Sequence, residues 1–209
     1  MSFVEEVTAA RVMAIIRGTR ASAVVESVTA LAEAGIRFVE VALTTPGALD
    51  AIEEVAAKLP DGVAIGAGTV LTRQDVADVA AAGAQFIVTP GVVDSIDAAA
   101  AREIPVAAGA FTATEALAAR SRGADIVKLF PASAGGPGYL KALRDPLPDI
   151  PFMAVGGVGL DDVAAYLGVG AIGVGVGSPL VGDAASGGSL EALRERARAY
   201  VQAAQRFPS

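Results

Sequence analysis

The sequence predicts an α/β protein, a single (β/α)8 TIM barrel over residues 1–209 with a short extra helix before its first strand. Three observations predict it. Eight short apolar runs recur at near-even spacing, alanine-rich stretches of helical periodicity separate them, and several of those stretches stop at a glycine. Alternation of strand and helix at this spacing means βαβ units, and so a parallel sheet covered on both faces. Eight such strands close naturally into a barrel. A doubly wound open sheet is the rival, because spacing alone does not prove closure.

The elements follow in order. After the short leading helix, strands are expected at 12–17 (V-M-A-I-I-R), 37–43 (R-F-V-E-V-A-L), 63–68 (V-A-I-G-A-G) and 85–89 (Q-F-I-V-T). Four more are expected at 104–109, 125–130, 152–156 and 171–176, so that successive starts lie 25, 26, 22, 19, 21, 27 and 19 residues apart. Among the helices, 21–34 carries Val24, Val25, Val28, Leu31 and Ala32 on one stripe. Gly35, Gly83 and Gly123 stand where a helix takes its C-terminal cap. Residues 184–189 read as a loop before a last helix at 190–206, and no Pro-, Gly- or Ser-rich linker divides the chain.

Composition narrows the chemistry. Apolar residues make up 53% and charged residues 19%, enough for a sizeable core and unlike a disordered chain. The mean hydropathy of +0.54 suggests a membrane, but charge, Gly or Pro cuts every apolar run before the ~20 residues a spanning helix needs. The start, M-S-F-V-E-E, lacks the basic and apolar regions of a signal peptide, so a cytoplasmic location is expected. There is no Cys and no His, which removes thiol chemistry, the serine–histidine triad and most transition-metal sites. A carboxylate-only magnesium site is chemically open, yet no motif signals one. A net charge of −7 argues against nucleic acid, whose affinity comes largely from basic patches.

Two charges stand where barrel strands are buried on both faces: Glu40 in F-V-E-V-A-L and Lys128 in D-I-V-K-L-F-P. Strand alternation puts Lys128 in phase with Ile126 and Phe130, Glu40 with Phe38 and Ala42, and Arg17 with Met13 and Ile15. If those faces point inward, a cation, an anion and a cation meet near the C-terminal mouth, where barrel enzymes keep their reactive groups. A lysine must lose its proton to attack a carbonyl, and desolvation can lower its pKa by up to ~3–5 units. Glu40 pulls the other way and Arg17 offsets part of that pull, so the balance is open at this level. With no His, Glu40 is the leading proton carrier. The plain alternative is a buried Lys–Glu pair that only fixes the barrel.

Glycines gather at the last two strand ends, in Val155-Gly-Gly-Val158 and Gly173-Val-Gly-Val-Gly-Ser178. Barrel phosphate sites are built from these loops, with backbone N–H groups as donors. Tight turns are the plain alternative, and neither stretch is a nucleotide-binding fingerprint. Gly66-Ala-Gly-Thr69 and Thr89-Pro-Gly91 would line the same mouth. Thr69 is either a donor to a carboxylate or carbonyl oxygen or the N-cap of the helix that follows.

Together these residues resemble the class I aldolases of the 2-keto-3-deoxy-6-phosphogluconate (KDPG) and 2-keto-3-deoxy-6-phosphogalactonate (KDPGal) family. The landmarks are A-I-I-R-G at 14–18, V-E-V-A-L at 39–43, I-G-A-G-T-V-L at 65–71 and F-I-V-T-P-G at 86–91. They continue with V-K-L-F-P-A at 127–132, A-V-G-G-V at 154–158 and G-V-G-S at 175–178, in order over nearly the whole chain.

The resemblance implies a cofactor-free, metal-free barrel, usually a homotrimer, that cleaves a phosphorylated keto-deoxy sugar acid to pyruvate and glyceraldehyde 3-phosphate. It implies that Lys128 forms the imine and Glu40 shuttles protons, while Arg17 and Thr69 hold the pyruvate carboxylate. Pro90 and Phe130 would shape the pocket, and Gly156, Gly157, Gly177 and Ser178 would receive the phosphate.

Two positions depart from the gluconate branch: Thr44 stands where that branch often has Arg, and Val155 where it tends to have Thr. G-P-G-Y-L-K-A-L at 136–143 looks more like the galactonate branch. The rival functional readings are a phosphate-binding isomerase or synthase without an imine, and a non-catalytic sugar-phosphate-binding barrel.

Overall fold

The structure is a computed structural model and describes residues 1–207. Its strands are β1 (Val12–Ile16), β2 (Phe38–Ala42), β3 (Ala64–Gly68), β4 (Ile87–Val88), β5 (Val106–Ala110), β6 (Ile126–Leu129), β7 (Phe152–Val155) and β8 (Gly173–Val176). Each pairs in parallel with its sequence neighbours. β8 returns to β1 through Val12 with Val174, Met13 with Gly175 and Ala14 with Val176. That seam closes the barrel and removes the open-sheet rival.

Helix α1 (Phe3–Ala10) precedes β1. Helices α2 (Ala21–Glu33), α3 (Ala48–Ala56), α4 (Arg73–Ala81), α5 (Ser95–Ala100), α6 (Ala113–Ser121), α7 (Gly136–Arg144) and α8 (Val163–Gly168) cross between successive strands. The four-residue α9 (Ser178–Val181) and then α10 (Leu190–Gln205) follow β8, with a 3-10 turn at Ala184–Ser186 inside the expected loop. Gly35, Gly83 and Gly123 all take positive φ after their helices, as expected of caps.

Strand ends moved by one or two residues, each for a local reason. β5 starts at Val106, because Pro105 has no N–H for the ladder; its carbonyl still accepts from Ile87 N–H at 2.9 Å. β4 is only two residues long, although bonds from Gln85 N–H to Ile65 O and from Thr89 N–H to Ala107 O carry the pairing beyond both its ends.

Alternation along the strands sorts the core into two layers. Val12, Ala14, Ile16, Val39, Val41, Ile65, Val127, Leu129 and their neighbours face outward under the helices. Met13, Ile15, Phe38, Phe86, Val88, Ile126, Met153 and Val155 fill the interior. α1 plugs the N-terminal end of the barrel. Its capping box joins Ser2 and Glu5, and Phe3 packs against Phe38 and Phe86 with ring centroids 5.8 and 5.4 Å apart. Among the described residues, no helix is long and apolar enough to cross a membrane.

Candidate active site

Of the site residues expected from the sequence, Val155 ends β7, Arg17, Thr69, Pro90, Phe130, Gly156, Gly157, Gly177 and Ser178 follow the C-terminal ends of their strands, and Glu40 and Lys128 lie within β2 and β6. Glu40 and Lys128 point into the barrel from β2 and β6, on the faces that alternation assigns them. Only 1% of Glu40 and 5% of Lys128 is exposed. Glycines on the neighbouring strands make room, Gly68 for the Glu40 carboxyl and Gly109 for the Pro90–Gly91 backbone. A Cβ on Gly68 would overlap the Glu40 carboxyl. Gly109 lies opposite Lys128 in the β5–β6 register and is equally unable to carry a side chain. Lys128 Nζ stands 5.1 Å from the centroid of the Phe130 ring.

The electrostatic balance left open by the sequence falls on the side of burial. Burial pushes the Lys128 ammonium below the ordinary lysine range; Glu40 opposes this and Arg17 adds to it. Burial likewise raises the Glu40 carboxyl, against the pull of Lys128 and Arg17. Both groups are thus driven towards their neutral forms, an amine able to attack and a carboxyl able to donate.

A pair that merely fixed the barrel would close into a direct contact. Among the described residues no ion pair joins Glu40 to Lys128 or Arg17, and Glu40 Oε2 is buried without a hydrogen-bond partner. No group of three or more acidic side chains among the described residues is placed to hold a metal.

Thr69 is not a helix cap. That work is done by Thr72, whose side chain accepts from Asp75 N–H. Thr69 instead takes φ 59, a left-handed conformation unusual for a β-branched residue. The residue after it is held on both sides: Val70 N–H donates to Val88 O at 3.3 Å, and the buried Ser95 hydroxyl donates to Val70 O at 2.7 Å. Strain of this kind costs about 1–2 kcal/mol and persists where the surroundings over-determine it. Thr69→Gly is therefore expected to hold or raise the melting temperature while weakening pyruvate binding, checked by thermal unfolding and by KM. A lower melting temperature with unchanged KM would count against a role for this side chain.

Arg17 is exposed on the loop after β1. Its neighbour Gly18 donates through N–H to the buried Thr45 hydroxyl at 3.2 Å, which ties this loop to the one after β2. The β7 loop turns through Gly156 and Gly157 at φ 94 and 72. A Cβ on Gly156 would lie 2.9 Å from the Phe130 ring, and one on Gly157 would overlap the Ser133 hydroxyl. Gly156, Gly157 and Val158 form the turn that follows β7, and Gly177 and Ser178 follow β8. Val155 faces inward beside Gly175 and Ile15, and the Pro90 backbone covers Gly109.

Sequence reading did not single out Thr45, Ser95 and Ser133. Their only signal was a hydroxyl near a strand-end motif, and their partners are distant in the chain.

Fold and site together define a (β/α)8 barrel enzyme with a desolvated amine and carboxyl converging beneath its open mouth. The model for KDPG and KHG aldolase matches residues 4–192. The 2-dehydro-3-deoxy-6-phosphogalactonate aldolase of Escherichia coli is 39% identical over 193 residues, which is 91% of this chain and 93% of that protein. The native KDPGal structure superposes with a TM-score of 0.89 at 37% identity, over 94% of this chain and 95% of that one. KDPG aldolase from Legionella pneumophila, solved with pyruvate captured at low pH as a covalent carbinolamine intermediate, gives 0.81 at 30% identity, over 100% and 99%. The chain belongs to the KDPG and KHG aldolase family and is a carbon–carbon lyase of the Schiff-base class.

Proposed function

We propose that this protein cleaves 2-keto-3-deoxy-6-phosphogalactonate to pyruvate and D-glyceraldehyde 3-phosphate through an imine on Lys128, with 2-keto-3-deoxy-6-phosphogluconate as the lesser substrate. The observation that carries this reading is the buried Lys128–Glu40 pair, driven towards neutrality and not closed into an ion pair.

The steps follow from that pair. Lys128 Nζ attacks the C2 ketone to give a carbinolamine, whose hydroxyl leaves as water with the proton of the Glu40 carboxyl, giving the iminium and a Glu40 carboxylate. The C4 hydroxyl then yields its proton to Glu40 while the C3–C4 bond breaks. Its electrons pass into the iminium as an enamine, and glyceraldehyde 3-phosphate leaves. Protonation at C3 and hydrolysis release pyruvate and restore the amine. Arg17 and Thr69 hold the carboxylate of the pyruvyl end. Pro90 and Phe130 wall the pocket. The N–H groups of Gly156, Gly157, Gly177 and Ser178 receive the phosphate as charge-assisted donors. α9 is too short for a strong dipole, so these backbone donors carry the phosphate.

The galactonate preference is read from Val155, which offers methyl groups to the interior, and from Thr44, a shorter side chain than arginine at the mouth. Tyr139, within the 136–143 segment, stacks on Phe111 at 5.0 Å and donates its hydroxyl to Phe111 O at 2.7 Å, which fixes that wall. The working form is taken to be a cytoplasmic homotrimer, the oligomeric state the family resemblance implies. A substrate charged at both ends does not diffuse across a bilayer.

Borohydride trapping with pyruvate, followed by peptide mass spectrometry, tests the mechanism, and kcat/KM for the two epimers tests the preference. A stable adduct on Lys128 and a higher value for the galactonate epimer are expected. Folded protein that binds phosphate yet yields no adduct would favour the isomerase reading instead.

A further inference from the structure

The mechanism leaves the buried hydroxyl of Thr89, on the strand end two strands from the imine lysine, without a role. Thr89 is 0% exposed and follows β4, the shortest strand of the barrel. Its hydroxyl accepts from Gly109 N–H at 3.3 Å and donates to Gly91 O at 2.7 Å. In a parallel ladder the N–H of a β5 residue expects a backbone carbonyl on β4. Here the chain leaves the ladder at Thr89, and the side chain supplies the acceptor instead. The second bond then folds residues 89–91 back on themselves, so that the Pro90–Gly91 peptide lies directly over Gly109. The fit is tight enough that a Cβ on Gly109 would overlap the Pro90 carbonyl. Gly109 is in turn the register partner of Lys128. The chain from Thr89 through Gly109 to Lys128 is therefore continuous: hydroxyl, strand, amine.

We propose that Thr89 is a positioning residue of the imine site. Its hydroxyl holds the Pro90–Gly91 peptide as the wall behind Lys128, so that the ketone meets the amine from one side only. The proposal rests on Lys128 being the imine-forming residue. A threonine ending a strand is otherwise ordinary, since β-branched residues favour strands. The second bond to Gly91 O has no use in the ladder, and it is this bond that closes residues 89–91 over Gly109, the register partner of Lys128.

The test compares Thr89→Val, which keeps shape and removes both hydrogen bonds, with Thr89→Ser, which keeps them. Three readouts are taken on each protein: the rate of borohydride trapping with pyruvate, kcat for aldol cleavage, and inhibition by inorganic phosphate. Thr89→Val is expected to lower trapping rate and kcat by about tenfold to a hundredfold, the usual penalty for a misplaced reacting group. Phosphate inhibition stays unchanged, because the glycine loops after β7 and β8 are untouched. Thr89→Ser restores the wild-type rates.

A Thr89→Val protein with wild-type trapping and kcat, and only a lower melting temperature, overturns the proposal. Should that variant not fold, Thr89→Cys replaces it as the weak hydrogen-bonding case. Slower trapping by Cys than by Ser then supports the proposal, and equal rates overturn it. The site of the adduct in unmodified protein is mapped first. An adduct on another lysine removes the underlying assignment, an outcome distinct from failure at Thr89.

Discussion

Lys128→Met is expected to yield a folded barrel that cleaves no substrate above background, with kcat down by roughly 10^4-fold or more, as when a covalent nucleophile is removed. The side chain is nearly isosteric, so the interior stays filled beside Ile126 and Met153. What disappears is the amine. Borohydride with pyruvate should leave no adduct, while inorganic phosphate still binds, since its proposed donors are backbone groups elsewhere.

Stability separates this loss from unfolding. The folded Lys128 pKa is depressed, so the folded protein binds fewer protons than the unfolded chain. Stability contributed by that group is present above the ordinary lysine range and is lost as pH falls through the depressed value. Methionine removes the dependence, and the variant should melt no lower than the parent at neutral pH. Residual cleavage within tenfold of the parent would overturn the role given to Lys128.

Glu40→Gln has the next largest effect and a different signature. Turnover should fall by roughly 10^2 to 10^4-fold, the range for loss of a positioned general acid–base. The pyruvate adduct should still accumulate, though more slowly, because the amine remains and Glu40, which opposes the lowering of its pKa, is gone. Trapping without turnover is the pattern that assigns proton transfer to Glu40 and bond formation to Lys128.

The linkage runs opposite to that of the lysine. A buried carboxyl with a raised pKa contributes stability that is full below the unfolded carboxylate range and lost as pH rises through the folded value. The Gln variant lacks that loss, so its melting temperature should gain on the parent as pH rises from acid to neutral. Turnover within threefold of the parent would transfer the proton role elsewhere.

Much of this was legible along the chain. The eight-fold alternation of apolar runs and helical stripes specified βαβ units, because backbone geometry gives strands and helices distinct periods. The same period of two put Glu40 in phase with Phe38 and Ala42 and Lys128 with Ile126 and Phe130, and left open whether those faces point inward. The order of motifs from A-I-I-R-G to G-V-G-S carried the family resemblance, which the matches over residues 4–192 bear out.

Tertiary structure decided the rest, and the reason is common to each case: the deciding contact joins residues far apart in sequence. Closure hangs on the pairing of β8 with β1, which no local pattern encodes. Thr69 looked as much like a helix cap as a ligand donor. Its left-handed backbone is set by Val88 and Ser95, and the cap belongs to Thr72. The contest between burial and Coulomb attraction at Lys128 turns on distances across the barrel and on a carboxyl packed against Gly68. The hydroxyls of Thr45 and Thr89 take their partners from Gly18 and Gly109 on neighbouring loops and strands. Local sequence sets which face a side chain presents; how much water remains around it is a property of the closed barrel.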